Sequence, residues 1–386
     1  MTLYRFDQIA ANITVRVEPA DTDLERYVGL EHLDPESLKL RRWGSPADVI
    51  GQKLRFWKGD IIYGKRRAYQ RKLAVADFDG ICSAHAMVLR AKQDVILPEL
   101  LPFFLQSEIF HQRAMEISVG SLSPTINWSA LAKQEFPLPP VDEQRRIADL
   151  LWAADDSITE YKNVAEQIQR TKDIFIANLL TNNRSFRTLD EFVQNSQWDM
   201  VKLSDVCLQI TDGTHVTPEY VTKGIPFLRV TDIQETKIDW ETIKYIKPET
   251  HEQYIKRCHP QKGDVLLSKN GTIGLVKLVD WDEPFSIFVS LCMLKPKADL
   301  NSNYLTELLR TKIVQMQFTK RSKQGTVTNL HLEEIRECLI PFPPISEQEE
   351  FVNKTRQFDD TYQQAIQHLE NTQNLKKNLL SKFFSK

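Results

Sequence analysis

No apolar run in the chain approaches the roughly 18–20 residues that span a bilayer. Met1 to Ala10 holds Arg5 and Asp7 and lacks the apolar stretch of a signal peptide. The chain is therefore expected in the cytoplasm, away from membranes. Cysteine is sparse: Cys82, Cys207, Cys258, Cys292 and Cys338 are scattered and never spaced Cys-x-x-Cys, which argues against zinc ribbons and redox pairs. Reduced thiols acting as small buried hydrophobes are expected. The eight histidines show no metal-ligand spacing, and Cys258-His259 reads as ordinary surface or core. No sign of charge dominates, with 50 Lys+Arg against 52 Asp+Glu and a formal net charge of −2. That excludes a uniformly basic nucleic-acid coat but leaves room for a local basic patch. Gly-x-x-x-x-Gly-Lys-Ser/Thr and Gly-x-Gly-x-x-Gly phosphate loops are absent. What remains is a 386-residue chain, 41% hydrophobic and 26% charged, of ordinary globular composition. At roughly 100–200 residues per domain it holds two to four units.

The chain repeats itself at a spacing of 204 residues. Lys58-Gly59-Asp60 returns as Lys262-Gly263-Asp264, and Pro137-Leu138-Pro139-Pro140 as Pro341-Phe342-Pro343-Pro344. Glu143-Gln144 returns as Glu347-Gln348, Asp155-Asp156 as Asp359-Asp360, and Lys172 as Lys376. The copy is too long for a solenoid unit, so it reads as two domain-plus-helix modules in tandem. Each module opens with a strand-rich part. Asp60–Tyr63, Lys72–Ala76 and Ala86–Leu89 read as strands, matched by Asp264–Leu267, Gly274–Val279 and Phe288–Leu291. Helical segments follow around Leu97–Ile117 and Asn303–Lys320.

Each module closes with a long helix. The Pro-x-Pro-Pro tetrad stops any helix before it. Beyond it, Val141 to Arg187 contains no Gly or Pro. Apolar or small residues recur at Leu151, Ala154, Ile158, Tyr161, Ala165, Ile168, Phe175 and Leu179. The second copy gives Phe358, Tyr362, Ala365, Leu369, Leu379 and Phe383. This 3–4 spacing is a coiled-coil seam. One helix cannot bury its stripe alone, whereas two in one chain bury each other; antiparallel pairing predicts a dumbbell with pseudo-twofold symmetry. Lys172 and Lys376 interrupt the seams, either fixing register or snorkelling out.

Two similar domains suit a ligand with two separated sites, and duplex DNA is one. Gly64-Lys65-Arg66-Arg67-Ala68-Tyr69-Gln70-Arg71-Lys72 carries five basic residues and no acid. Arg suits bidentate contacts to phosphate or guanine and Gln pairs with adenine, although a solvated hairpin explains the same run. The equivalent Ser268-Lys269-Asn270-Gly271-Thr272 is less charged and contains the Asn-Gly turn signal. Ser121–Thr125 and Gln324–Asn329, with Thr326, precede the tetrads at matching places, as phosphate contacts or as simple turns. Thr214 and His215 stand beside Gly213, and His215 reads as a contact or a turn residue.

These residues resemble the DNA-specificity subunit of type I restriction-modification systems. Trp198–Val206, Ile210-Thr211-Asp212-Gly213-Thr214-His215, Gly224–Val230 and Gly263–Gly271 are similar to the opening and body of a target recognition domain. Gly59–Tyr69 and Ala74–Ser83 resemble a different recognition-domain subtype, and both Pro-x-Pro-Pro…Glu-Gln segments resemble the starts of spacer helices. The first domain lacks the Asp-Gly-Thr-His turn, and its first strand is expected near Tyr4 or Phe6.

The resemblance implies an α+β chain: two strand-rich target recognition domains in tandem pseudo-twofold repeat, joined by two long helices forming an antiparallel coiled coil. The expected boundaries are recognition domains at 1–140 and 198–344, spacer helices at 141–183 and 345–386, and a linker at 184–197. It implies a non-catalytic reader of a bipartite, asymmetric site on double-stranded DNA. Its expected partners are two methyltransferase subunits, which use S-adenosylmethionine, and restriction/translocase subunits, which use ATP and Mg²⁺; this chain is expected to bind no cofactor and no metal. In agreement, Pro139-Pro140 and Pro343-Pro344 lack the Asn/Asp and aromatic of an amino-methyltransferase motif. The rival readings are a scaffold for other subunits and a nuclease built from dispersed acids.

Overall fold

The computed structural model describes the chain except for residues 36, 183, 185, 234–237, 239, 241, 323–327 and 385–386. The described chain divides into two compact units: residues 1–164 with 364–386, and residues 165–363. Each unit therefore takes its globular part from one module and its helical part from both.

In the first unit, Thr2–Arg5 pairs antiparallel with Glu135–Leu138 and leads straight into a one-turn helix, Phe6–Ile9. The first strand thus starts earlier than Tyr4, and Phe6 belongs to the helix. A four-stranded antiparallel sheet follows in the order Ala10–Ile13, Ala86–Ala91, Ile61–Gly64, Leu73–Val75. A second sheet runs Arg16–Val17, Lys53–Phe56, Gly80–Cys82, Tyr27–Val28. One face of the first sheet carries Ile61, Tyr63, Met87 and Leu89 against Phe6, Phe103, Phe104 and Phe110. The other carries Ile62, Ala74 and Val88 against Phe56 and Cys82. This is the period-2 alternation of a sheet buried on both sides.

The second unit repeats the plan. Met200–Lys202 pairs with Leu339–Pro341, and the main sheet runs Cys207–Asp212, Leu291–Pro296, Val265–Ser268, Val276–Leu278. A three-stranded sheet runs Lys244–Ile246, Ile225–Leu228, Ser286–Ile287. The strand placed at Phe288–Leu291 from the sequence starts at Leu291 instead. Phe288 bridges Thr214, and Leu291 N closes a turn on the Phe288 carbonyl, so Val289 and Ser290 cannot be strand. Both helical segments are also broken in two. Leu101–Gln106 gives way to Glu108–Glu116 at Ser107, and Ser302–Arg310 to Lys312–Arg321 at Thr311. Ser107 and Thr311 take extended backbone, and each hydroxyl donates back to the preceding turn, to Phe104 O and Leu308 O.

The repeated tripeptide is a turn with a fixed role. Gly59 and Gly263 sit at φ +91° and +93°, where glycine is favoured. Asp60 Oδ2 accepts from Trp57 N and Asp264 Oδ2 from Gln261 N. Both carboxylates are buried and reach across the sheet, Asp60 to Arg90 and Asp264 to Lys295.

The long helices span Val141–Thr181 and Ile345–Phe384. In the first unit the start of one meets the end of the other. Ile147, Ala148, Leu151 and Phe384 join the core of the globular part, and Tyr161 stacks on His368 with ring centroids 5.3 Å apart. In the second unit the reverse holds. Ile176, Leu180, Phe351 and Val352 join the core, and Phe175 meets Phe358 at 5.2 Å. The pair is antiparallel. Among the seam positions Leu151 and Ile158 are buried, while Tyr161, Ile168, Phe358, Tyr362 and Leu369 are half-buried. Leu151 lies in the core cluster of the first globular part.

Neither seam lysine snorkels. Lys172 is 5% exposed and donates to Glu307 and Asp359 at 2.5 and 2.6 Å. Lys376 is 7% exposed, donates to Asp155 at 2.7 Å and lies over the Phe103 ring. The segment read as a linker is also more ordered than a tether. Leu189–Asn195 is a helix capped by Thr188 Oγ1, and Phe192 is fully buried in the second core. Ser185, within that segment, lies outside the described residues. All five cysteines are free and buried.

Candidate nucleic-acid interface

The basic hairpin and the loop before the first tetrad come together. Arg66 bridges Thr125, Ala68 N donates to Pro124 O, and Ile126 N donates to Lys65 O. The second unit makes the same joint from different residues. Asn270 bridges Asn329, Gly271 N donates to Thr328 O, and Leu330 N donates to Lys269 O. Each unit thus presents a two-segment ridge at the end of its main sheet. The sequence singled out both segments of each ridge but gave no sign that they touch. Thr326 lies outside the described residues.

In the first ridge the side chains divide by partner. Arg66 is exposed, with Nε donating to Ser123 Oγ at 3.1 Å. Arg67 and Tyr69 are exposed, and Gln70 is half-buried. Arg67 and Arg71 hold left-handed backbone, φ +56° and +51°, on either side of a tight turn, a cost that L residues accept only where surroundings fix it. Arg71 helps fix it, donating to Glu108 at 2.6 Å, and this hydrogen bond lowers the Glu108 carboxyl pKa. Lys72 donates to Leu30 O at 2.9 Å. Lys65 is half-buried; burial, with Arg16 nearby, lowers its ammonium pKa. His85 is lowered by burial and then by Arg66, Lys65 and Lys53, which marks a concentration of positive charge. Arg71 and Lys72 therefore hold the ridge, while Arg66, Arg67 and Tyr69 present it.

The second ridge is built differently. Lys269 is 4% exposed and paired with Asp212 at 3.2 Å, so its charge is internally spent. Ser268 is fully buried, with Oγ accepting from Leu275 N at 2.8 Å. Asn270 is half-buried and Thr272 exposed. The Oδ1 atoms of Asn270 and Asn329 are buried and accept no hydrogen bond from the described residues. Gly213 is required by close approach, since a Cβ there would lie 1.9 Å from Ile287 O. Thr214 N donates to Ile287 O, and its Oγ1 accepts from Val216 N at 3.2 Å. His215 is 58% exposed and 3.4 Å from Asp212. Asp212 also pairs with Arg257, a residue too distant in sequence to be linked to this turn. Among the described residues no group of His, Cys, Asp or Glu is arranged to hold a metal ion, and no helix is long and apolar enough to cross a membrane.

Each unit thus carries a ridge built from two chain segments beside its main sheet. The family model for the type I restriction modification DNA specificity domain matches residues 49–170 and 195–373. The chain belongs to that family: it is a type I restriction-modification specificity subunit, a DNA-sequence-recognition protein. It is 21% identical to the type I restriction enzyme EcoKI specificity subunit of Escherichia coli K12 over 92% of this chain and 76% of that one. It is 25% identical to the EcoBI specificity subunit of Escherichia coli over 64% of this chain, and spans 57% of that relative's length. The crystal structure of the type I restriction-modification S subunit from M. genitalium shares the fold, with a TM-score of 0.59 at 15% identity, covering 100% of this chain and 96% of that one. A chain solved in a study of complex assembly and conformational transition of the type I R-M system gives 0.56 at 20% identity, over 99% and 97%.

Proposed function

We propose that the two units read the two halves of a split, asymmetric DNA site, and that the chain does so without catalysing a reaction itself. The carrying observation is that one scaffold presents two unlike ridges. The first is cationic and aromatic, with Arg66, Arg67 and Tyr69 exposed. The second offers Thr272 and His215 over carboxamides, with its lysine neutralised. Direct readout distinguishes bases by donor and acceptor pattern, so unlike ridges read unlike sequences. Each long helix, about 60 Å at 1.5 Å per residue, supports a spacer role between the half-sites. Methyltransferase and restriction subunits are the proposed partners, and S-adenosylmethionine, ATP and Mg²⁺ belong to them.

Selection of duplexes from a randomised pool by this chain together with its methyltransferase tests the reading. Two enriched blocks at fixed separation support it. Enrichment of one block, or none, overturns it in favour of a scaffold.

A further inference from the structure

Beside the first ridge lies a concavity of about 200 Å³. Its walls include Thr14, Arg16, Gln52, Lys53, Lys65 and Asn127, three cations and no carboxylate. The second unit differs at the equivalent place. Leu89 pairs with both Asn12 and Ile61, and Leu294 pairs with both Ile210 and Val265. Asn12 therefore corresponds to Ile210 and Ile61 to Val265. Counting along the strands, Thr14 corresponds to Asp212 and Lys65 to Lys269.

In the second unit that lysine is matched by its carboxylate, Lys269 to Asp212 at 3.2 Å. In the first unit the carboxylate is replaced by an exposed threonine. Lys65 has no ion-pair partner among the described residues, and burial, with Arg16 nearby, disfavours its charge. Among the described residues, the neighbouring cations are held by neutral groups. Arg16 donates to Gln52 Oε1 at 3.1 Å, and Lys53 to the carbonyls of Ile50 and Gly51. A half-buried cation among cations is unfavourable unless an anion completes it.

Resting on the DNA-reading function above, we propose that this concavity is an anion site that receives one phosphodiester of the bound DNA backbone, with Lys65 at its centre and Arg16 at its rim. The second unit has dispensed with the equivalent site by building the anion into the protein as Asp212. Phosphate contacts fix register without reading sequence, so the site anchors the first half of the target while Arg66 and Arg67 face it.

The test uses the full chain assembled with its methyltransferase, on a duplex carrying its selected target. Lys65→Met and, independently, Thr14→Asp should each weaken binding roughly tenfold and lower the salt slope by about 1, leaving base preference unchanged. Thr14→Asp changes an exposed position, so its melting temperature should match wild type. A duplex with a single neutral methylphosphonate in the first half-site should weaken wild type equally, and should weaken Lys65→Met no further. Unchanged affinity and slope in both variants, with wild type binding specifically, overturns the anion site alone. Relaxed preference at one base pair with an unchanged slope overturns it in favour of base reading by Lys65. Failure of wild type to bind specifically overturns the reader and the site together.

Discussion

The Lys376 ammonium sits 2.7 Å from the Asp155 carboxylate, both buried, within the first unit. Its repeat counterpart, Lys172 with Asp359 at 2.6 Å, occupies the second. Each pair joins the lysine of one copy to the aspartate of the other. The lysines and aspartates that recur in the sequence are therefore partners across the antiparallel helices. A parallel arrangement, or a shifted register, would leave the buried charges of Lys376 and Asp155 without each other.

Breaking either pair should be costly. Lys376→Ala strands Asp155, and the expected loss is about 3–5 kcal/mol in urea unfolding, the range for removing one member of a buried pair. Replacing both by leucine should restore most of that stability, because the penalty lies in the unpaired charge. If Lys376→Ala costs no more than a surface substitution, the pair does not fix the register.

The repeated Glu-Gln ties each helix to its domain through the glutamine. Gln144 is fully buried, accepts from Leu97 N at 2.8 Å and donates to Val95 O and Pro139 O. Gln348 makes the same three bonds with Asn301 N, Asp299 O and Pro343 O. Gln144→Ala or Gln348→Ala should cost about 1–3 kcal/mol by leaving buried partners unsatisfied. Hydrogen exchange at the Leu97 or Asn301 amide should accelerate in the matching variant alone.

Arg66→Ala should weaken specific DNA binding while assembly with the methyltransferase persists. A base contact would cost ~1–3 kcal/mol and relax one position. Loss of a phosphate contact would reduce the salt slope instead. Unchanged specific binding would place the reading surface elsewhere.

Ile158 is 9% exposed on the helix pair. Ile158→Asp should lower the melting temperature and change the preferred gap between half-sites, read by binding to duplexes of varied spacer length. An unaltered preference would remove the spacer role from the helices.

The thiols should be inert in the folded protein. Burial pushes Cys82, Cys207, Cys258 and Cys338 up to about 12 and raises Cys292 as well. Raised values keep all five protonated at pH 8, where attack needs the thiolate. An aromatic disulfide reagent should label none in the native state and all five in guanidinium. Rapid native labelling at pH 8 would contradict the packed cores.

Much of the fold was legible because it is written in residue types with local meaning. The Pro-x-Pro-Pro tetrads stop and start helices, and the Lys-Gly-Asp turns need glycine at positive φ. What was hidden depends on long-range partners. Lys269 looked like a free cation because Asp212, far away in sequence, is what neutralises it. Lys172 and Lys376 were ambiguous because burial depends on the opposite helix. The breaks at Ser107 and Thr311 were missed because hydroxyl residues are also tolerated within helices. Arg16 and Lys53 join Lys65 only through the sheets that bring them together.

The most direct measurement is methylation mapping by single-molecule sequencing. The chain would be expressed with its methyltransferase in a host lacking adenine methylation. The expected result is one split motif, two different defined halves around a fixed gap, with a methyladenine on each strand. An assembled complex that leaves a single undivided motif, or no modified motif at all, would contradict the two-unit reader.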